Sequence, residues 1–241
     1  MKIKNLLIGG VLATLLLSSC QSNFGEDLKI EENSPVTMPK EKVDSLSEAL
    51  GTYFAVMING DNFGNLNWNK FFKSFETAIK NNANQKEMTF AVQTIQEFLM
   101  EKNNLIGEHN KVEGQNFLEQ NKTAEGVQTT ESGLQYQIVQ EGTGEYPTEE
   151  DTVICHYIGT NLNGYKFDSS YDRGEPAEFP LSQVIKGWTE GIQKINEGGK
   201  IILWIPSELA YGSRAISKEV GPNSTLKFEV ELIEIKAQEE F

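Results

Sequence analysis

The apolar positions of this chain follow two different periods, one after the other. Leu46, Ala49, Leu50, Tyr53, Val56 and Met57 fall on one helical stripe, and Phe71, Phe72, Phe75 and Ile79 on a second. Met88, Ala91, Val92, Ile95, Phe98 and Leu99 make a third, while Gly51, Gly60, Asp61 and Gly64 punctuate the first two. From Gly107 to Lys122 the pattern thins to Val112, Phe117 and Leu118 among polar residues, which predicts a solvent-bathed connecting helix. After Asn121-Lys122-Thr123 the period becomes two. Gly133 to Val139 alternates, Gly142-Thr143-Gly144 and Pro147 make a loop, and strand-like runs recur at 153–158, 177–181, 200–205 and 225–235. One helix interrupts them, with Trp188, Ile192 and Ile195 at helical spacing. The expected fold is α+β: an antiparallel sheet wrapped on one short helix, preceded by an all-helical N-terminal domain. At roughly 110 residues the sheet domain can hold its own core.

The first residues read as an export signal. Lys2 and Lys4 precede an apolar run, Leu6 to Leu17, that is too short to span a bilayer comfortably. The run ends in Leu17-Ser18-Ser19-Cys20, which resembles a bacterial lipobox, with Cys20 acylated as the mature N-terminus. The other readings are a cleaved secretory signal with an incidental Cys, or an uncleaved anchor helix. The expected divisions are a lipoprotein signal peptide (1–19), a polar tether (20–41), a helical domain (42–125) and the sheet domain (126–241).

Charge narrows the partners. The chain carries 21 Lys and Arg against 35 Asp and Glu, a formal net charge of −14, and loss of Lys2 and Lys4 makes it more acidic still. No basic patch exists to neutralise phosphates, so nucleic acid is not an expected partner. The same acidity opposes adsorption on anionic lipid, so membrane attachment would come from acyl chains. With Cys20 lipidated, Cys155 is the only thiol left, and it reads as a small buried hydrophobe on the face of Val153 and Tyr157. His109 and His156 lack metal-ligand spacing, and no metal is expected. The helical region is short and rich in large aromatics. It is either a self-contained monomeric bundle or one whose core a second copy completes.

The chemistry gathers around Val184-Ile185-Lys186-Gly187-Trp188. Alone, Trp188 is the largest residue of a core or the flat floor of a pocket. Its neighbours in sequence favour the pocket: His156-Tyr157-x-Gly159, Leu162-Asn163-Gly164, Phe167-Asp168-Ser169-Ser170, Ile205-Pro206-Ser207-Glu208-Leu209-Ala210-Tyr211-Gly212, and Pro222-Asn223-Ser224-Thr225-Leu226-x-Phe228. In this order and spacing the motifs resemble the FKBP family of peptidyl-prolyl cis-trans isomerases, the rapamycin-binding immunophilins, over about residues 126–236. The region from about 42 to 125 is similar to the helical N-terminal domain of the macrophage-infectivity-potentiator subclass. That resemblance implies a homodimer, with a long helix carrying each catalytic domain.

By this resemblance Trp188 is the pocket floor, and Tyr157, Phe167 and Phe228 wall the substrate proline ring. Asp168 and the Tyr211 hydroxyl are its polar groups, Val184, Ile185, Phe179 and Val220 add substrate contacts, and the Ile185 N–H meets a substrate carbonyl. Asp168 is expected to orient Tyr157 by a hydrogen bond rather than to act as a base. Two departures bear on strength of binding: Ala177 stands where many members have an aromatic, and the loop Ser213 to Gly221 carries Ile216, Lys218 and Glu219. The implied activity is X–Pro isomerisation (EC 5.2.1.8) in proline-containing unfolded or exported polypeptides, a reaction that makes and breaks no covalent bond and so requires no metal or cofactor. Rapamycin-type macrolides are the implied inhibitors, and the envelope, on the outer membrane facing the periplasm, the implied place. The other reading is a client-binding periplasmic chaperone with secondary isomerase activity.

Overall fold

A computed structural model describes residues 38–60 and 63–236. The signal segment and Cys20 lie outside the described residues. The chain divides into two compact units, one up to Thr89 and one from Phe90 onward.

The first unit is helical. α1 runs Lys40–Gly60 and α2 Trp68–Lys80, followed by the opening residues of α3, Gln85–Asn121. Asn67 caps α2, its Oδ1 accepting the Lys70 N–H at 3.1 Å. A reciprocal capping box opens α3: Asn84 Oδ1 accepts the Lys86 and Glu87 N–H groups, and Glu87 Oε2 accepts the Asn84 N–H. Gly51 does not break α1, contrary to the sequence expectation; no atom lies near where its Cβ would be, so the helix simply runs through it. No residue of α1 or α2 is buried.

The second unit holds an antiparallel sheet of seven strands: β1 (Gln128–Thr129), β2 (Gln135–Gln140), β3 (Thr152–Asn161), β4 (Lys166–Ser169), β5 (Ala177–Pro180), β6 (Lys200–Ile205) and β7 (Leu226–Lys236). The order is β1-β2-β6-β7-β3-β4, with β5 also paired to β3. Alternation is clearest in β3, where Val153, Cys155, Tyr157 and Gly159 are buried and their neighbours are not. α5 (Lys186–Ile192) covers the buried face. A Cβ at Gly187 would meet Ile205 at 2.4 Å and one at Gly191 would meet Leu203 at 2.6 Å, so these glycines let the helix lie directly on β6.

α5 is not the sole helix among the strands, as sequence suggested. A one-turn helix α4 (Ser170–Arg173) follows β4, and 3₁₀ turns occupy Leu181–Gln183 and Ser207–Leu209. The segment after Gly107 is also not solvent-bathed. It is the continuation of α3, and one face lies on the sheet domain: Gly107 and Gly114 are buried, and the Leu118 carbonyl accepts from Gln135 Nε2 at 2.7 Å.

Candidate active site

β3 brings Tyr157 to the buried side of the sheet, β4 brings Phe167 and Asp168, β5 Phe179, β7 Phe228, and α5 delivers Trp188 at its first turn. The Ile185 carbonyl receives the Trp188 and Thr189 N–H groups, which sets that turn. Trp188 is 4 % exposed. Tyr157, Phe179 and Phe228 each meet it edge to face, with centroids 5.1, 5.4 and 5.3 Å away and interplanar angles of 90°, 81° and 85°. Phe167 stands at 89° to Phe228. These two rings converge over Gly159, where a Cβ would lie 2.8 Å from both, so any side chain there would split the wall. The indole Nε1 of Trp188 is buried with no hydrogen-bond partner.

One corner is polar. The Tyr157 hydroxyl donates to Asp168 Oδ2 at 2.5 Å, Arg173 Nη1 donates to Asp168 Oδ1 at 2.6 Å, and Arg173 Nη2 donates to the Tyr157 oxygen at 2.8 Å. The guanidinium carbon also lies 5.4 Å from the Tyr157 ring centroid. Burial alone would raise the Asp168 carboxyl, but hydrogen bonds from Tyr157 and Arg173 and the arginine charge hold it below the usual range. Burial, then the bond to Asp168, pushes the Tyr157 phenol up. Burial and the Asp168 charge do the same to Tyr211. Both phenols are therefore neutral donors at physiological pH, and Asp168 is an anion with each oxygen engaged.

Arg173 is absent from the sequence expectations. It follows Asp168 by five residues, in a one-turn helix that Gly174, at φ 79°, terminates, and nothing in the sequence set it apart. Ser170 fastens that turn to β3, its Oγ accepting the Tyr157 N–H at 2.8 Å and lying 2.9 Å from His156 Nδ1.

The remaining expected residues fall around this cage. Val184, Ile185 and Tyr211 are half-buried against the core, whereas Val220, 1 % exposed, is part of the core itself. Cys155 is sealed, and burial pushes its thiol up to about 12, so it offers no thiolate. The arrangement suits an apolar ring held between aromatic walls, with the Tyr211 hydroxyl as a donor beside it, the Tyr157 proton being given to Asp168.

Comparison with known proteins gives the family. Residues 143–233 match the family described as FKBP-type peptidyl-prolyl cis-trans isomerase, and residues 43–138 match the domain amino terminal to it. FKBP-type peptidyl-prolyl cis-trans isomerase FkpA of Aeromonas hydrophila is 37 % identical over 247 residues, 91 % of this chain and 90 % of that protein. The FkpA protein of Neisseria meningitidis serogroup B is 45 % identical over 155 residues, 64 % of this chain; that match spans little more than half, 57 %, of the relative's own length. The crystal structure of FkpA from Escherichia coli superposes with a TM-score of 0.66 at 35 % identity, covering 82 % of this chain and 96 % of that one. On the near-complete Aeromonas match and the two adjoining domain matches, the chain belongs to the FKBP-type peptidyl-prolyl cis-trans isomerase family.

Proposed function

We propose that the cage around Trp188 accelerates rotation about X–Pro bonds in exported polypeptides by binding the twisted amide, with no covalent intermediate. An X–Pro amide turns over a barrier of about 18–20 kcal/mol because rotation breaks C–N conjugation. The twisted form has lost the charge separation that water solvates well, so an apolar enclosure favours it over the planar ground state. A roughly 10⁴-fold acceleration needs about 5–6 kcal/mol of such preference. The observation that carries this reading is the set of three rings standing edge-on to Trp188. The engaged oxygens of Asp168 support a second element: it holds the Tyr157 hydroxyl and shapes the local field. Proton transfer has no part in the rotation. Phe167 and Phe228 wall the proline ring, Val184, Ile185 and Phe179 extend the contact surface, and the Tyr211 hydroxyl is a donor to the substrate. Val220 acts from behind the wall. The same cage would take a rapamycin-type macrolide.

The chain functions as a homodimer anchored in the bacterial envelope through Cys20, on the outer membrane facing the periplasm. The Leu17-Ser18-Ser19-Cys20 motif supports the anchor. The outward-facing apolar residues of α1 and α2, Leu46, Tyr53, Val56, Phe72 and Phe75 among them, support association of two copies. Those faces also favour the second reading, a chaperone that holds unfolded clients and isomerises them secondarily.

The test is the cis-to-trans rate of a short X-Pro-Phe peptide with the soluble mature chain, beside Trp188→Ala, Asp168→Ala and added rapamycin. Acceleration lost in Trp188→Ala and blocked by the macrolide is the expected result. No acceleration by folded wild type would leave the chaperone reading in front, and wild-type turnover in Asp168→Ala would remove Asp168 from the account. Sedimentation of the mature chain reads the dimer.

A further inference from the structure

We infer that the C-terminal half of α3 is a positioning element of the active site, which holds the pocket's rim loop in its binding-competent form. The inference rests on the function proposed above. The helix grips one short stretch of the loop before β7. Asn110 Nδ2 donates to the Pro222 carbonyl at 2.8 Å and to Ser224 Oγ at 3.3 Å, and Asn223 Nδ2 donates back to the Gly107 carbonyl at 3.2 Å. The helix backbone touches the loop because the facing residues are glycines. A Cβ at Gly107 would lie 3.1 Å from Asn223 Nδ2 and 3.2 Å from Pro222 Cβ, and one at Gly114 only 2.3 Å from Thr225 Oγ1. From the loop side, a Cβ at Gly221 would lie 3.0 Å from Ile106.

Each gripped residue is one short step from the pocket. The Asn223 N–H donates to the Gly212 carbonyl at 2.7 Å, and Gly212 directly follows Tyr211. Val220, sealed into the core with Trp188 and Phe228, directly precedes Gly221. Phe228 follows Thr225 by three positions in the strand that begins at Leu226. Asn223 itself sits at φ 55°, a left-handed conformation that a free loop would leave readily and that its side-chain and backbone bonds retain. Packing that served stability alone would have no reason to converge on the one segment whose neighbours are Tyr211, Val220 and Phe228.

The expected signature is specific. Freeing the loop lowers the fraction of molecules whose rim is competent, and apparent affinity falls by that fraction while the bound complex turns over as before. A merely structural brace would instead lower the folded fraction, which reads as a smaller apparent kcat at unchanged KM.

The full chain is compared with Asn110→Ala, Gly114→Leu, Gly114→Ala and the pair Gly114→Ala with Thr225→Ala. KM and kcat are measured on the X-Pro-Phe peptide, and affinity is measured separately by NMR titration. Gly114→Leu is expected to raise KM and the dissociation constant about tenfold at unchanged kcat, and Asn110→Ala about threefold. Gly114→Ala is expected to show an intermediate rise that Thr225→Ala restores by removing the clashing hydroxyl. If Gly114→Leu does not fold, the alanine variants carry the test. A fall in kcat at constant KM, unchanged affinity throughout, or a defect that Thr225→Ala leaves in place would each overturn the inference. Should wild type bind the peptide without accelerating it, the proposed function fails while the titrations still decide this one.

Discussion

The two units spend their aromatic residues in opposite ways. In the sheet domain Trp188, Tyr157 and Phe228 are each 4 % exposed and locked edge to face, and the core beneath them is sealed at Leu203, Ile205 and Leu232. In the helical unit Trp68, Phe71, Phe72 and Phe75 also touch one another, yet no residue of α1 or α2 is buried. An apolar surface gains free energy only when water is removed from both sides. The sheet domain has done this within itself. The helical unit has assembled ring clusters that a single copy leaves wet, which is why the dimer is proposed for that half of the chain.

Substitutions of similar kind in the two regions should therefore differ widely. Trp188→Ala empties the centre of three ring contacts and is expected to cost about 3–5 kcal/mol of sheet-domain stability, read by denaturant unfolding, with loss of peptide turnover. Cys155→Ser puts a hydroxyl into a fully sealed site and should cost about 1–3 kcal/mol while leaving turnover intact in the folded protein. Arg173→Met leaves the ring-to-ring contacts in place but removes the cation over the Tyr157 ring and the two hydrogen bonds it gives Asp168 and Tyr157, and kcat/KM should fall about three- to tenfold.

The same variant has a pH signature. Asp168 titrates lower in the folded chain than unfolded, so its contribution is present above the unfolded value near 3.9 and lost as pH falls through the folded one. Without the arginine that loss should begin at higher pH, by a small amount because the pair is partly exposed. At the far end, Leu46→Ser on α1, at a position 59 % exposed, should change unfolding of the dissociated single copy, followed at concentrations too low for dimers, by less than about 0.5 kcal/mol. It should nonetheless weaken self-association in sedimentation at low concentration. An effect on unfolding as large as that of Cys155→Ser would show that α1 is buried in a single copy and erase the contrast.

Legibility followed burial. β3 could be read because one face is sealed and its alternation is unbroken, β7 because alternation holds from Leu226 to Leu232, and β6 because it is a short apolar run buried at Ile201 and from Leu203 to Ile205. β1 and β4 could not: Gln128-Thr129 and Lys166-Phe167-Asp168-Ser169 contain one apolar residue between them, and pairing to β2 and β3 makes them strands. The ring residues of the site announced themselves through motif and spacing. Arg173 did not, because a half-exposed arginine in a four-residue helix differs from its neighbours only in what it reaches. The fate of Gly107 and Gly114 was equally hidden. In sequence they thin a helical stripe, and only the loop packed against them explains two glycines in a 37-residue helix.

The place of β7 bears on when the domain becomes itself. It follows every other strand in the chain, yet it lies in the middle of the sheet, between β6 and β3, and it carries Phe228. Its partner β3 lies some seventy residues earlier, with Tyr157 opposite Val230 and Gly159 opposite Phe228, a long-range pairing that slows folding. As the chain emerges vectorially, α1 to α3 can form by local contacts, but the sheet has a gap at its centre until this strand arrives. The Phe228 wall, and the strand that joins β6 to β3, are thus withheld until the last strand is delivered. A partly emerged chain has its helices and an unfinished ring cage.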